Sequence, residues 1–205
     1  MNDFLLFIDT ETSGIPDSWK EHDIIPEKWP YIVQIAWIIL DRKGNLIRTE
    51  NHFINEADIM IDPESFKIHG ISREKLKQEG QTRKQVLEQL AGDMEQYSPL
   101  LVGHFVEFDL RMLSVGYQRI AHNNPLETLP SFCTMTTMKL TDPVKMTRNY
   151  PRLDVLYEYL FGKKLNNQHN ALADARATSE CFFEMIRQDI LDEEIINKQQ
   201  KYIFG

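Results

Sequence analysis

The sequence predicts an α/β fold in which helices flank a mixed β-sheet. Two observations carry this prediction: apolar, strand-like segments cluster early in the chain, and short strands and helices alternate after them. A length of 205 residues, with 42% hydrophobic residues, suffices for one domain with a sizeable core. We therefore expect a single domain over residues 1–191, followed by a tail at residues 192–205 whose weak pattern predicts partial mobility.

The predicted strands come first. Residues 4–8 form a short apolar strand, and residues 31–40 form a longer one that Gln34 interrupts. The turn at residues 41–45 leads into a third strand at residues 46–54. The second and third strands are therefore expected to form a hairpin.

Helical patterns follow. The predicted helices lie at residues 72–77, 82–97, 105–121 and 153–161, and from residue 170 to about residue 191. Thr82 is the expected N-cap of the second helix, and Gly162 directly follows the fourth. A short strand at residues 100–102 comes directly before the third helix.

Residues 14–30 form a long excursion between the first two strands. Its two tryptophans are Trp19 and Trp29.

Charge and composition exclude several classes of protein. A net charge of −8 argues against a non-specific duplex binder, which usually carries a basic face. No apolar run is long enough to span a bilayer, and the N-terminus lacks the basic start of a signal peptide. Cys133 and Cys181 lie far apart, as expected for reduced thiols. We therefore expect a cytoplasmic protein that does not contact membranes.

One stretch departs from the acidic balance. Residues 139–164 contain six basic and three acidic residues, interleaved with tyrosines. Any one of these charges is equally explained as part of a solvated loop. As a group, and above all at Lys163 and Lys164, they form a basic surface on an acidic chain.

Two acidic residues stand where the strand pattern places apolar ones. Alternate residues of a strand share a face, so Asp9 and Glu11 continue the face that begins with Leu5 and Phe7. The first strand therefore delivers two carboxylates, side by side, to its own end.

Two helices repeat this anomaly. Asp109 falls within the apolar stripe of the helix at residues 105–121, and Asp174 falls in a row of small or apolar residues in the last helix. A single acid of this kind is usually a helix cap, a paired core charge or a rim residue. Four such acids on three elements favour a common explanation.

That explanation is a bound cation. Clustered anions repel one another, and desolvating each costs on the order of several kcal/mol, so such clusters normally exist because a cation neutralises them. Oxygen ligands favour Mg²⁺ or Mn²⁺ over zinc, and two divalent ions would offset four carboxylates. That the four acids converge in space is an inference from their positions at the ends of elements.

His169 is the candidate base. It precedes Asp174 by five residues, which is about 140° of helical rotation, so the two cannot share one helix face. Asn170 is a good N-cap and places His169 on the loop before the helix. A histidine beside a metal cluster suits a general base that takes a proton from water. The alternative is a surface or packing histidine.

These motifs resemble those of the DEDDh, or DnaQ-like, 3′–5′ exonucleases. Residues 7–14 (Phe-Ile-Asp-Thr-Glu-Thr-Ser-Gly) are similar to the first exonuclease motif of that family. Residues 101–110 (Leu-Val-Gly-His-Phe-Val-Glu-Phe-Asp-Leu) are similar to the second, and residues 169–175 (His-Asn-Ala-Leu-Ala-Asp-Ala) to the third. The resemblance covers roughly residues 4–188, and an ordered set that ends in His-x₄-Asp is highly specific.

The resemblance implies an RNase H-like fold with a mixed five-stranded sheet, and a two-metal mechanism that releases nucleoside 5′-monophosphates. It also implies roles for residues of this chain. The ligands of two Mg²⁺ or Mn²⁺ ions would be Asp9, Glu11, Asp109 and Asp174, and the general base would be His169. Contacts with the substrate are expected from Thr12 (through its backbone), His104, Lys163 and Lys164.

Two further predictions depend on this substrate. The basic stretch at residues 139–164 is our candidate for a surface that guides the nucleic acid strand. Two interpretations of Trp19 and Trp29 stay open: stacking on a base in a nucleotide pocket, and packing that fixes the excursion to the core, which we favour.

Two positions depart from the family pattern. Phe105 stands where many relatives have Asn after Gly-His, and Cys133 stands where many have Asp before Thr. Neither is among the implied ligands or the implied base. These departures therefore bear on contacts with the substrate rather than on the chemistry.

Three functions stay open. The favoured one is an exonuclease acting on a single-stranded or frayed 3′ end of DNA or RNA, in proofreading, repair or RNA trimming, where proofreading would need a polymerase or another repair protein in trans. The second is a non-catalytic RNase H-like binding module, and the third is another metal hydrolase, such as a phosphomonoesterase. A decayed domain would most easily lack a ligand or the base, and all five residues are present.

Overall fold

One mixed sheet of five strands organises the chain. The computed structural model describes residues 2–16, 25–141, 150–166 and 168–204, without the side chains of residues 138–141. The strands are β1 (Phe4–Thr12), β2 (Ile32–Asp41), β3 (Leu46–Phe53), β4 (Leu100–Gly103) and β5 (Ser131–Cys133). Their order across the sheet is β3-β2-β1-β4-β5, with β1–β2 and β2–β3 antiparallel and β1–β4 and β4–β5 parallel. The prediction of a mixed five-stranded sheet is confirmed.

Helices pack on both faces of this sheet. They are α1 (Pro63–His69), α2 (Arg73–Glu79), α3 (Arg83–Tyr97), α4 (Val106–Arg119), α5 (Thr134–Thr141), α6 (Leu153–Phe161), α7 (Ala171–Arg187) and α8 (Glu193–Gln199). Side chains fix several of the ends. Thr82 forms a capping box with Gln85 before α3, Asn170 caps α7, and Gly162 ends α6 at a φ of 65°.

The central strand β1 separates two hydrophobic cores. Leu6 and Ile8 point into the core that includes α3 and α4, whereas Leu5 and Phe7 point into the core that includes α6 and α7. All four side chains are fully buried. A strand at the centre of a covered sheet is apolar on both faces, which is why residues 4–8 carry a continuous apolar run.

The two edges of β1 are paired over different lengths. Its parallel pairing with β4 ends at Phe7, whereas its antiparallel pairing with β2 continues to Thr12. β1 is therefore longer than the predicted strand at residues 4–8, because β2 supplies hydrogen bonds to its acidic end as well. On the side that faces β4, the part of β1 beyond Phe7 lies next to the start of α4. The candidate site forms there.

Several elements were not predicted. The tail contains α8, whose buried Ile196 belongs to the core that includes α6 and α7. Lys201 of the tail pairs with Ser131 of β5.

The two tryptophans of the excursion differ in what the structure describes. Trp29 is buried in the core that includes α3 and α4, as the packing interpretation expects, and Trp19 lies outside the described residues. Within the described ranges, helices fall short of the length and apolarity needed to cross a membrane.

Candidate active site

The four acids identified from the sequence meet at the end of β1. Asp9 and Glu11 lie on the strand itself. Asp109 lies in the first turn of α4, and Asp174 in the first turn of α7. The charges of the other three acids each raise the pKa of Asp9, after the larger effect of its burial. One oxygen each of Glu11 and Asp174 and a ring nitrogen of His169 all lie within 4.8 Å of one another.

Asp109 is tied to β1 by a direct hydrogen bond. The hydroxyl of Thr10 donates to Oδ1 of Asp109 over 2.7 Å, and both side chains are buried. Thr10 lies between the two strand acids, so this bond fixes the first turn of α4 against the strand segment that carries them. The apolar stripe in which Asp109 stands thus faces the core at one end and the acid cluster at the other.

Gln34 ties α7 to the sheet. This residue interrupts the apolar run of β2, is fully buried and lies opposite Glu11 in the register of β1 with β2. Its Oε1 accepts the backbone N–H of Ala171 over 3.3 Å, and its Nε2 donates to Asn51 of β3 over 2.8 Å. The polar break in β2 therefore positions the start of α7, which carries Asp174.

His169 lies just outside α7, as predicted. Its side chain is exposed, and its backbone adopts the left-handed region with a φ of 63°. The backbone N–H of His169 donates to Oδ2 of Asp174 over 2.9 Å, and Oδ1 of Asn170 accepts the backbone N–H of Ala173. A left-handed conformation costs a non-glycine residue on the order of 1 kcal/mol, so these contacts hold the loop in an unfavourable geometry beside the acids.

Burial and mutual repulsion raise the pKa values of the acids. Burial, followed by the charges of Asp174 and Asp109, raises the pKa of Glu11 to about 8. Burial raises the pKa of Asp109 to about 7, although the Thr10 hydrogen bond acts in the opposite direction. Burial also raises the pKa of Asp174, against the N–H of His169, which lowers it. Without a cation, the ionised form of this cluster is disfavoured.

The donor set fits a hard divalent cation. Among the described residues, no lysine or arginine forms an ion pair with any of the four acids. Four carboxylates that gather at buried or half-buried positions without such partners lack a source of neutralisation among the described residues. Carboxylate oxygens with one imidazole nearby are donors that Mg²⁺ and Mn²⁺ accept.

A cavity of about 430 Å³ opens beside the acids. Its lining includes Asp9, His169 and Asp174 together with the aromatic residues Phe105 and Tyr150. This volume lies in the usual range for sites that hold a small organic ligand. The cavity therefore offers room for a ligand of about nucleotide size in direct contact with the carboxylates.

His104 lines this cavity but uses both ring nitrogens within the protein. Its Nε2 donates to the carbonyl of Pro151 over 2.9 Å, and its Nδ1 lies 3.0 Å from the hydroxyl of Thr134. Burial lowers the pKa of His104 to about 4, so the ring is neutral near pH 7. Contact between His104 and a substrate stays a prediction, and it would involve the ring surface rather than a nitrogen.

The other predicted substrate contacts differ in position. Thr12 follows Glu11 at the end of β1, and its backbone carbonyl accepts a hydrogen bond from Nε2–H of His69 over 3.2 Å. Lys163 and Lys164 are exposed after α6 and do not line the cavity, and the ammonium of Lys163 lies near two aromatic rings. Much of the basic stretch, residues 142–149, falls outside the described residues.

Two charged residues of the cavity were not recognised from the sequence. Asp154, in the first turn of α6, lines the cavity and adds to the rise in the pKa of Asp174. Arg152 lines it as well, with Nε 3.3 Å from Oδ1 of Asp154. An acid in a first helical turn is normally explained by the helix dipole, so the sequence pattern alone contains no indication that Asp154 faces the site.

Comparison with known proteins places the chain in a class of nucleases. The family model RNase_T, described as Exonuclease, matches residues 6–182. The chain therefore belongs to this exonuclease family, within the DnaQ-like, RNase H-like group that its motifs resemble.

Solved structures of exonucleases share the fold. E. coli exonuclease I in complex with a dA16 oligonucleotide has a TM-score of 0.76 at 18% identity, over 96% of this chain and 43% of that one. The zinc ion bound form of E. coli exonuclease I with single-stranded DNA gives 0.75 at 20%, over 92% and 41%. A 3′-exonuclease described in 3′-end-specific recognition of histone mRNA stem-loop gives 0.70 at 14%, over 91% and 64%. The chain spans less than half of exonuclease I.

Proposed function

We propose that this chain is a 3′–5′ exonuclease that hydrolyses the last phosphodiester of a single-stranded or frayed 3′ end and releases a nucleoside 5′-monophosphate. One observation carries the proposal: acids from β1, α4 and α7 gather, without a lysine or arginine partner among the described residues, beside a cavity of about 430 Å³. Membership of the exonuclease family supports the same reaction class.

The acids would hold the metal. Asp9, Glu11, Asp109 and Asp174 are the proposed ligands of two Mg²⁺ or Mn²⁺ ions. When bound, such ions stabilise the negative charge on the attacking and leaving oxygens of a phosphodiester. The hydrogen bonds of Thr10 and Gln34 keep α4 and α7 in place, so the ligand oxygens are positioned before a substrate arrives.

His169 would act as general base. Its imidazole lies on an exposed loop, with a ring nitrogen within 4.8 Å of carboxylate oxygens of Glu11 and Asp174. It takes a proton from water, and the water oxygen forms a bond to phosphorus as the bond from phosphorus to the 3′ oxygen breaks. The leaving 3′ oxygen becomes the new strand end, and the phosphate stays on the 5′ oxygen of the released nucleotide.

The substrate class is a nucleic acid strand end, with DNA as the leading candidate. Among the similar structures, exonuclease I is in complex with single-stranded DNA and the 3′-exonuclease recognises a histone mRNA stem-loop, so an exoribonuclease is the alternative. The backbone of Thr12 is the proposed contact with the terminal nucleotide, and Lys163 and Lys164 are proposed to attract the strand. A polymerase or repair partner in trans and a cytoplasmic location remain predictions.

Two end-labelled substrates test the proposal. Each DNA or RNA 20-mer carries its label at the 5′ end in one sample and at the 3′ end in the other. With Mg²⁺ or Mn²⁺ we expect the 5′-labelled strand to give a ladder of labelled products that become shorter one nucleotide at a time. The 3′-labelled strand should release a labelled mononucleotide early in the reaction. Stepwise shortening of the 3′-labelled strand, internal cleavage, or release of phosphate alone would contradict the proposal.

A further inference from the structure

One polar side chain of α7 is buried without a hydrogen bond. Thr178 has 1% of its surface exposed, and its hydroxyl oxygen Oγ1 has no hydrogen-bond partner among the described residues. Its neighbours on the helix surface, Ala175, Cys181 and Phe182, belong to the apolar core that includes α6 and α7. Buried hydroxyl groups are normally hydrogen-bonded, because an unpaired one costs free energy. A residue that only filled this core would be better without the hydroxyl.

Thr178 also leaves unused the acceptor that its own helix offers. A threonine or serine inside a helix commonly donates to the carbonyl three or four residues earlier, as Ser179 does to the carbonyl of Arg176 over 2.7 Å. The hydroxyl of Thr178 forms no such bond with the described chain. Helical side chains lean toward the preceding turn. For Thr178 that turn carries Asp174, so the side chain leans toward the acid cluster.

Two contacts fix how α7 lies along β1. The rings of Phe182 and Phe7 pack edge to face, with their centroids 5.5 Å apart. At the end of β1, one oxygen of Asp174 and one oxygen of Glu11 lie within 4.8 Å of each other. Four residues of a helix rise about 6 Å, and two residues of a strand rise about 6.7 Å. The helix and the strand therefore advance by nearly equal steps between these two contacts.

Thr178 and Asp9 occupy the middle step of this alignment. Thr178 lies four residues from each contact residue of α7, and Asp9 lies two residues from each contact residue of β1. Alternate strand residues share a face, so Asp9 is on the face of β1 that α7 covers. The unpaired hydroxyl is therefore level with the carboxylate of Asp9, one of the four proposed metal ligands.

We propose that Thr178 is a positioning residue, whose hydroxyl donates a hydrogen bond to the carboxylate of Asp9 when that carboxylate holds a divalent cation. This inference rests on the metal-binding part of the proposed function. Ligand carboxylates are generally fixed by hydrogen bonds from the groups around them, and losing such a group typically weakens metal binding about 10- to 100-fold. A buried hydroxyl orients Asp9 in this way without adding charge to the cluster.

The affinity for Mn²⁺ tests this role independently of catalysis. Titration calorimetry compares the wild type with Thr178→Val, which replaces the hydroxyl by a methyl group, and with Thr178→Ser, which retains the hydroxyl. We expect the Kd for Mn²⁺ to rise at least about tenfold in Thr178→Val and less than about threefold in Thr178→Ser. Ser179→Ala is the matched control, because it removes a buried hydroxyl of the same helix that already has a partner. Its Kd should match that of the wild type.

Unfolding in excess EDTA separates positioning from folding. Thr178→Val should melt at the wild-type temperature or above it, because the variant loses an unpaired buried hydroxyl and keeps the shape of the side chain. Weaker Mn²⁺ binding at unchanged stability would support the positioning role. A melting temperature that falls in EDTA together with the Mn²⁺ affinity would show that Thr178 serves folding, and it would overturn the proposal.

The remaining outcomes separate this proposal from the exonuclease proposal. If Thr178→Val binds Mn²⁺ as tightly as the wild type, the role of Thr178 is wrong and the exonuclease proposal stands. If the wild type binds no Mn²⁺, both fail. If it binds Mn²⁺ but hydrolyses no strand, the exonuclease proposal alone fails.

A crystal structure of the wild type with Mn²⁺ gives the most direct measurement of this contact. We expect Oγ1 of Thr178 at about 2.7 Å from a carboxylate oxygen of Asp9. A separation above about 3.5 Å would overturn the proposal, because no hydrogen bond spans that distance.

Discussion

The candidate active site combines a region supported by the sheet with a region supported by a loop. Asp9 and Glu11 lie on a strand whose pairing with β2 continues to its end, and Asp109 is buried against that strand. His169 is exposed, with a left-handed backbone that a carboxylate of α7 holds. The difference matches the two tasks: metal ligands need fixed separations, whereas a base needs access to water and to the strand end.

Asp174 links the two regions. It sits on α7, which Gln34 fastens to β2, yet its carboxylate accepts the backbone N–H of His169. A change at Asp174 should therefore affect both regions. A change at His169 should affect the loop alone, whereas a change at Glu11 should affect the acids held by the strand. The following predictions test this division.

The largest effect is expected for Asp174→Asn. Loss of one ligand should lower kcat by about 10³-fold or more, because metal ions supply several kcal/mol of transition-state stabilisation. The melting temperature of the metal-free protein should stay equal or rise, because one of several repelling acids is neutralised. Turnover assays and calorimetry with chelator check both. A large loss of melting temperature without metal would contradict the repulsion described here.

His169→Ala should have a smaller effect. We expect the chemical step to slow by about 10²-fold, the lower range for general-base catalysis, while the affinity for Mn²⁺ changes less than about twofold. Single-turnover kinetics and titration calorimetry separate the two quantities. His169→Asn is the matched control for folding, since Asn tolerates the left-handed backbone. A variant that loses metal affinity as well would place His169 among the ligands.

The strand-held acids should make the metal-free protein less stable as pH rises. The pKa of Glu11 is raised in the folded state from 4.5 to about 8, so between these values the folded protein holds more protons than the unfolded chain. Unfolding free energy therefore falls with increasing pH across this window. Denaturant melts at pH 5 and pH 8 should show a smaller fall for Glu11→Gln than for the wild type. A steeper fall in the variant would contradict the shift.

The smallest effect is expected far from the acids. Replacing Lys163 and Lys164 by Ala should weaken binding to single-stranded DNA and flatten the dependence of log K on log salt by about 0.7 for each phosphate that the variant no longer neutralises. Lys84→Ala, at an exposed lysine on α3 outside the active-site cavity, is the control. Binding isotherms from about 50 to 200 mM salt measure the slope, and an unchanged slope would exclude these lysines from the strand path.

Periodicity predicts those elements that bury a regular face. It identified β1 to β4 and the long helices α3, α4 and α7, and the N-caps Thr82 and Asn170 were assigned correctly. It missed α1, in which no residue is buried, and β5, which has only three residues. It also missed α8, whose single buried residue, Ile196, leaves no repeating pattern in the tail.

For the site, the sequence reveals misplaced acids but not their convergence. Asp9, Glu11, Asp109 and Asp174 break apolar patterns, which singled them out one by one. Their meeting depends on tertiary pairing, such as the Thr10 bond to α4 and the Gln34 bond to α7. Local periodicity contains no information about such pairs.

The dependence of turnover on divalent cation tests the central claim most directly. Hydrolysis of a 5′-labelled DNA strand is measured in Mg²⁺, in Mn²⁺ and in excess EDTA, with Asp9→Asn beside the wild type. We predict stepwise shortening with either ion, none in EDTA, recovery when excess Mn²⁺ is returned, and no more than trace activity for the variant. Undiminished hydrolysis in excess EDTA would contradict a site in which clustered acids act by holding metal.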